Sequence, residues 1–228
     1  MFLKYFQKID DISSYLFSSV CNEKKLLKSI FKNSRIFYVD IGTNEGSFVD
    51  FLSKIFKFKK IVCFEPINNL ARNLDKRFNH FNIEVNNLAL SNISSTKKFY
   101  EYSISSQSSL YKQNNAYKSI KNLKKIYEVK TISFDKKFNK KIKIDLCKID
   151  AQGEEINILK GMKKNLKLKN IRLIKIELTF LETYTNVSSN YVEIISFLSK
   201  FNYKIISISK IKFKENKILF ADAYFLSL

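Results

Sequence analysis

The chain has 228 residues, 45% of them hydrophobic, with only four glycines, one proline and a formal net charge of +20. That much apolar material buries a full core without disulfides or metal, and Cys21, Cys63 and Cys147, far apart with no CxxC or Cys/His cluster, argue against a zinc module or a disulfide framework. The positive charge is nearly all lysine spread along the chain, with arginine only at 35, 72, 77 and 172, which reads as a solvated surface rather than a nucleic-acid grip.

Residues 1–33 read as a helical extension, and Met1 to Val20 is too charged for a signal peptide and too short for a membrane span. A domain over 34–228 follows. Phe37 to Val39 is a buried strand, Gly42 and Gly46 turn the chain, and Ser47 to Phe56 has helical periodicity with Phe48, Phe51, Leu52, Ile55 and Phe56 on one face. Lys57 to Lys60 break the pattern before a strand at Ile61 to Phe64. A helix over Asn68 to Phe78 then leads to one strand around Ile83 to Leu90.

From Ser91 to Lys141 the pattern weakens. This stretch, polar and framed by short strands near Lys98–Tyr102 and Val129–Phe134, reads as an insertion and mobile lid over the carboxyl edge of the sheet. Regularity resumes with a strand at Ile144 to Asp150, a helix over Gly153 to Leu166, a strand at Ile171 to Phe180 and a helix over Tyr191 to Phe201. Two closing strands, Tyr203 to Ile211 and Ile218 to Leu228, form a hairpin. This alternation predicts an α/β fold: a doubly wound, Rossmann-like, mostly parallel sheet of about seven strands with a C-terminal antiparallel hairpin and helices on both faces.

Ligands of such sheets bind at the carboxyl ends of the strands, where a glycine turn presents backbone N–H groups and a helix N-terminus. Four acids stand at or near those ends: Asp40, Glu65, Asp150 and Glu177. Glu65, about 20 residues after the turn, suits the two hydroxyls of a ribose. The turn itself lacks GxGxxG and carries Glu45, a poor neighbour for a pyrophosphate. The cofactor therefore carries less negative charge than a dinucleotide. The only histidine, His80, reads as a surface residue, and Asp135 and Asp145 as turn or strand-edge acids.

Five segments in order, Val39 to Gly46, Phe64-Glu65-Pro66, Asn87 to Ser91, Lys148 to Gly161 and Asp222 to Phe225, resemble the successive motifs of the FkbM-type methyltransferases, class I enzymes that use S-adenosylmethionine. The resemblance covers roughly residues 37–228. It implies that Asp40, Gly42 and Gly46 line the methionine end of the cofactor, with Asn44 of the same turn also binding the cofactor, that Glu65 holds the ribose, and that Asn87 and Ala89 lie by the adenine. Asp150 would sit beside the methyl group as base, acceptor orienter or metal ligand, with Glu177 second, unless Asp150 only caps the next helix. Ala151-Gln152 matches the family's usual pair before Gly153, and the serine-rich 105–109 matches only loosely and is given no role.

The implied reaction is O-methylation of a hydroxyl on a sugar or glycan precursor, in the cytoplasm, with no metal ligand set visible although a divalent ion is compatible with the acids. Two alternatives are a nucleic-acid methyltransferase, against which stands the lack of an Asn/Asp-Pro-Pro-Tyr/Phe run, and a non-catalytic basic binding module on the same fold. The acceptor and the oligomeric state are not legible.

Overall fold

The structure, a computed structural model, describes residues 22–32, 34–114, 122–138, 142–187 and 191–228. The reading of Met1 to Val20 and the third cysteine, Cys21, lie outside the described residues. The chain opens with α1 (Glu23–Phe31), capped by the Asn22 side chain, which accepts from Lys25 N. There follow β1 (Ile36–Ile41), α2 (Ser47–Ser53), β2 (Phe58–Phe64), α3 (Asn68–Arg77) and β3 (Ile83–Asn86). Next come β4 (Ala89–Ser91), β5 (Ser95–Tyr102), β6 (Leu123–Ser133) and α4 (Phe134–Lys137). The last third holds β7 (Ile144–Ile149), α5 (Glu155–Lys160), α6 (Lys163–Lys167), β8 (Ile171–Thr179), α7 (Tyr191–Ser199), β9 (Tyr203–Lys214) and β10 (Lys217–Ser227).

Seven strands form the main sheet in the order β3-β2-β1-β7-β8-β10-β9. All pairs are parallel except those of β10, which runs antiparallel to both β8 and β9. Glu215 and Asn216, both at positive φ, make the tight turn of that closing hairpin. The chain winds outward from β1 to β3 in one direction and from β7 in the other. The crevice at this reversal, above the carboxyl ends of β1 and β7, is where such sheets bind ligands.

Alternation along the strands divides the core between the two faces. Tyr38, Leu146 and Leu173 face α1 and α2 beside Leu27, Phe31, Phe48 and Leu52, while Val39, Cys147 and Ile174 face α5, α6 and α7 through Ile158, Leu166 and Leu198. Every one of these side chains is at most 5% exposed. At about 25 cal/mol per Å² of apolar surface this two-sided burial is the main favourable term.

Three expectations need correction. The single strand at Ile83 to Leu90 is two, because the chain bends at Asn87, whose side chain donates to the carbonyls of Glu65 and Pro66 at 2.9 and 3.0 Å, and β4 then joins a separate sheet ordered β4-β6-β5. The second strand begins at Phe58, not Ile61, since Phe58 is buried although Lys59 and Lys60 reach solvent. The helix over Gly153 to Leu166 is also two: Gly161 lies so close to β4 that a Cβ there would come within 2.4 Å of the Ser91 carbonyl, and Asp135 then caps a fresh helix by accepting from the backbone N–H groups of Lys164 and Asn165.

Gly161→Ala tests that close approach, because Gly161 does not have positive φ and only crowding opposes a methyl group. We expect a loss of about 1–3 kcal/mol in urea unfolding, with β4 displaced.

Candidate functional site

Two adjoining clefts open at the topological reversal. The first is lined by Gly42 and Asn44 of the turn after β1, by Glu65, Pro66 and Ile67 after β2, by Ala89 and Leu90, by Phe99 of β5 and by Asp150 to Gln152 after β7. The second shares Gly42, Asn44, Ser106, Asp150 and Gln152, and continues across the sheet face over Lys148, Lys175, Glu177 and Asp222 to Lys210 and Lys212.

The turn after β1 is shaped by its glycines. Gly42 has φ +75, and a Cβ on it would fall 1.9 Å from the Asp150 carbonyl oxygen, so a side chain here would separate β1 from β7. Gly46 sits at φ +81 as the N-cap of α2, packed on Leu74 and Phe78, and does not line either cleft. Asn44 takes φ +51; its N–H donates to Glu65 Oε2 at 2.7 Å and its Oδ1 accepts from Ser105 Oγ at 2.8 Å.

Glu65 is almost fully buried, and its other oxygen accepts from Ile67 N at 2.8 Å. Burial pushes its pKa up to about 7 against the pull of these two amides. Asn87 lies on the outer side of the same loop, bonded to the carbonyls of Glu65 and Pro66, and does not line the cleft, whereas Ala89 does.

Asp40 is buried beneath the turn. Its Oδ1 meets Lys148 Nζ at 3.4 Å, and Lys148 also reaches Asp150 Oδ2 at 3.3 Å and the Gly42 carbonyl at 3.3 Å. The two acids on either side raise the lysine's pKa despite its burial, and Lys148 in turn holds the Asp150 carboxyl below the usual range, although burial alone would raise it. Glu177 shifts the opposite way: burial first, then the charges of Asp150, Glu155 and Asp222, raise its pKa well above the ordinary value.

One amide joins the two carboxyl groups. Gln152, at φ +53, donates from Nε2 to Asp150 Oδ1 at 2.8 Å and to Glu177 Oε2 at 3.3 Å, while its Oε1 accepts from Tyr184 Oη at 2.8 Å. Its carbonyl accepts from Ser109 Oγ at 2.6 Å. The loop holding it is braced from below, since Glu155 accepts from the N–H groups of Ala151 and Gly153, and Glu154 takes hydrogen bonds from Ser91, Lys97 and Tyr111.

The serine segment given no role from the sequence forms a wall of the first cleft through Ser105, Ser106 and Ser108. Lys148, Gln152 and Lys175 were also passed over as site residues. Lys148 and Lys175 stood inside apolar strand patterns where a lysine has no place on a buried face, and that mismatch was the available signal. His80 is exposed at the end of α3. Among the described residues no cluster of three metal-ligating side chains occurs, and no helix is long and apolar enough to cross a membrane.

Removing the central cation gives a signed prediction. In the wild type, Asp150 has a lowered pKa, so its contribution to stability is present above the ordinary carboxylate range and is lost as the pH falls through the folded value. Lys148→Met is expected to cost about 3–5 kcal/mol at pH 8, and the deficit to shrink as the pH is taken below about 4, through the ordinary carboxylate value and on towards the lowered folded one, in urea denaturation of both proteins.

A model of the methyltransferase FkbM domain matches residues 40–205. Among solved structures, the FkbM methyltransferase of Methylobacillus flagellatus superposes with a TM-score of 0.54 at 14% identity, over 84% of this chain and 43% of that one, so the chain spans less than half of that protein. An rRNA methylase from Streptococcus thermophilus gives 0.52 at 11% identity over 90% and 93%. At such identities the likeness concerns the fold. No curated protein matches the chain in sequence. The family model extends from the acid of the glycine turn, through Glu65 and the Asp150 loop, into β9, and on that match the chain belongs to the FkbM methyltransferase domain family.

Proposed function

We propose that the chain is a cytoplasmic S-adenosylmethionine-dependent O-methyltransferase acting on a hydroxyl of a sugar or glycan precursor. The observation that carries the cofactor is the charge of the first cleft: Glu65, Asp150 and Glu154 line it with no lysine or arginine among the described residues. Such a lining offers a pyrophosphate no cation, since Lys148 and Lys97 stand behind the acids they match, and suits a cationic nucleoside. Ile67, Ala89, Leu90, Phe99 and Leu110 supply an apolar wall for a base. Buried free thiols at Cys63 and Cys147 suit a reducing compartment.

S-adenosylmethionine, when bound, supplies an electrophilic methyl group on a sulfonium. Glu65 is suited to the ribose hydroxyls through the lone pairs its two amide bonds leave. Asp150 lines both clefts, at the boundary a methyl group must cross, and Glu177 lines only the second. Two neighbouring carboxyls with pKa values pushed apart divide acid–base work between them. We assign Asp150, held ionised by Lys148, to orienting the acceptor hydroxyl, and the ionised form of Glu177 to receiving its proton as the methyl group leaves sulfur for the acceptor oxygen. This reverses the order in which the sequence ranked the two. Gln152 keeps both carboxyls aimed at one place, and the strap Ser105 to Leu110 limits water access.

The same electrostatics fix the pH behaviour. A carboxyl raised in the folded state favours folding below its ordinary pKa and loses that contribution as the pH rises through the folded value, about 7 for Glu65. Ribose hydroxyls bind the ionised form, so calorimetric affinity for S-adenosylmethionine is expected to rise about tenfold between pH 6 and pH 8. Glu65→Gln should bind weakly with no such slope, and NAD should not bind. Folded wild-type protein that binds no S-adenosylmethionine would sink this reading in favour of the basic binding module.

Glu177→Gln is expected to lower kcat roughly 10²–10⁴-fold in radiolabelled methyl transfer, with cofactor affinity retained. The rising limb of the wild-type rate profile should lie above the usual glutamate range.

A further inference from the structure

On the face of the main sheet towards α2, two lateral rows of charge cross the strands. Asp40, Lys148 and Lys175 are register neighbours on β1, β7 and β8, and beyond them towards the carboxyl ends stand Asp150, Glu177 and Asp222. The buried lysines are matched: Lys148 by Asp40 and Asp150, and Lys175 by Asp222 and by Glu23 Oε1 at 3.5 Å.

Two further ammonium groups reach this cleft from β9. Lys210 Nζ lies 5.6 Å from the Phe48 ring centre and Lys212 Nζ 5.4 Å from that of Phe220, and both rings line the cleft. Lys210 has only 3.8 Å contacts to Glu23 and Asp222, carboxylates that already pair with Lys175, and among the described residues Lys212 has no carboxylate in ion-pair range. A bulge aims them there. Phe220 pairs with Lys212 and Asp222 with Ser209, so β9 carries one extra residue, and Lys210 takes φ +49 within it. Such bulges re-aim side chains at functional edges.

We propose that the acceptor is a small anion, whose phosphate or carboxylate group Lys210 and Lys212 hold while its hydroxyl lies against Asp150 and Glu177. The inference rests on the methyltransferase reading and specifies its substrate class. β8 and β9 are two strand spacings apart, about 10 Å, which suits a sugar ring with a charged substituent. A nucleic acid would call for cations that follow a longer backbone, and none of the four arginines lines the cleft.

The test titrates the full chain, with S-adenosylmethionine present, with inorganic phosphate, acetate and a 20-nucleotide RNA in turn. It compares wild type, Lys210→Gln/Lys212→Gln and a control with the same charge change, Lys163→Gln/Lys167→Gln on α6. At least a tenfold loss of phosphate or acetate binding in the first variant alone supports the proposal, and the tighter of the two anions names the group. Equal loss in both variants, no anion binding by wild type, or RNA binding tighter than phosphate and weakened alike in both variants overturns it. Titration of each protein with S-adenosylmethionine reports on the cofactor cleft separately, so failure of the methyltransferase reading shows as lost cofactor binding with the anion result independent of it.

Discussion

A single buried ammonium holds the centre of this molecule together. Lys148 Nζ lies between Asp40 on β1 and Asp150 beyond β7 and also meets the Gly42 carbonyl, so it binds the two strands at whose ends the sheet reverses its winding. Charges taken out of water are tolerated only when matched and hydrogen-bonded. The match also sets ionisation, because the same lysine lowers the pKa of Asp150 while burial and then neighbouring acids raise that of Glu177.

Around that pair the backbone is shaped by steric limits. The absent side chain of Gly42 lets the Asp150 carbonyl approach, and Gly161 lets β4 settle against the end of α5. These contacts bring the second sheet over the first cleft, where Glu154 ties it down through Ser91, Lys97 and Tyr111. The apolar wall of the first cleft and the charged floor of the second thus come from different sheets, and Gln152 lines both clefts.

Much of the architecture was legible because it rests on local rules. The strand–helix alternation from Phe37, the glycine turn and the closing hairpin each follow from periodicity and turn chemistry. The errors fell where a distant contact overrode the local pattern. Ile83 to Leu90 reads as one apolar strand, but Asn87 anchors to the preceding loop and bends it. Gly153 to Leu166 reads as one helix, but β4 presses on Gly161 and Asp135 caps a second start. The serine segment carried no periodic signal, since its place comes from bonds to Asn44 and Gln152 on the far sheet.

The sequence by itself determined the fold class and which acids stand at strand ends, because strand periodicity and glycine punctuation are properties of neighbouring residues, and the resemblance of five successive motifs implied the family. Only the tertiary structure decided which of those acids share a cleft and which way burial and neighbouring charges shift Glu65, Asp150 and Glu177. It joined Asp150 to Glu177 through Gln152, left Asp40 and Asn87 outside the cleft lining, and brought Lys210 and Lys212 into the lining of the second cleft. Ionisation, burial and aim depend on groups far apart in the chain, and those distances exist only once the sheets have packed.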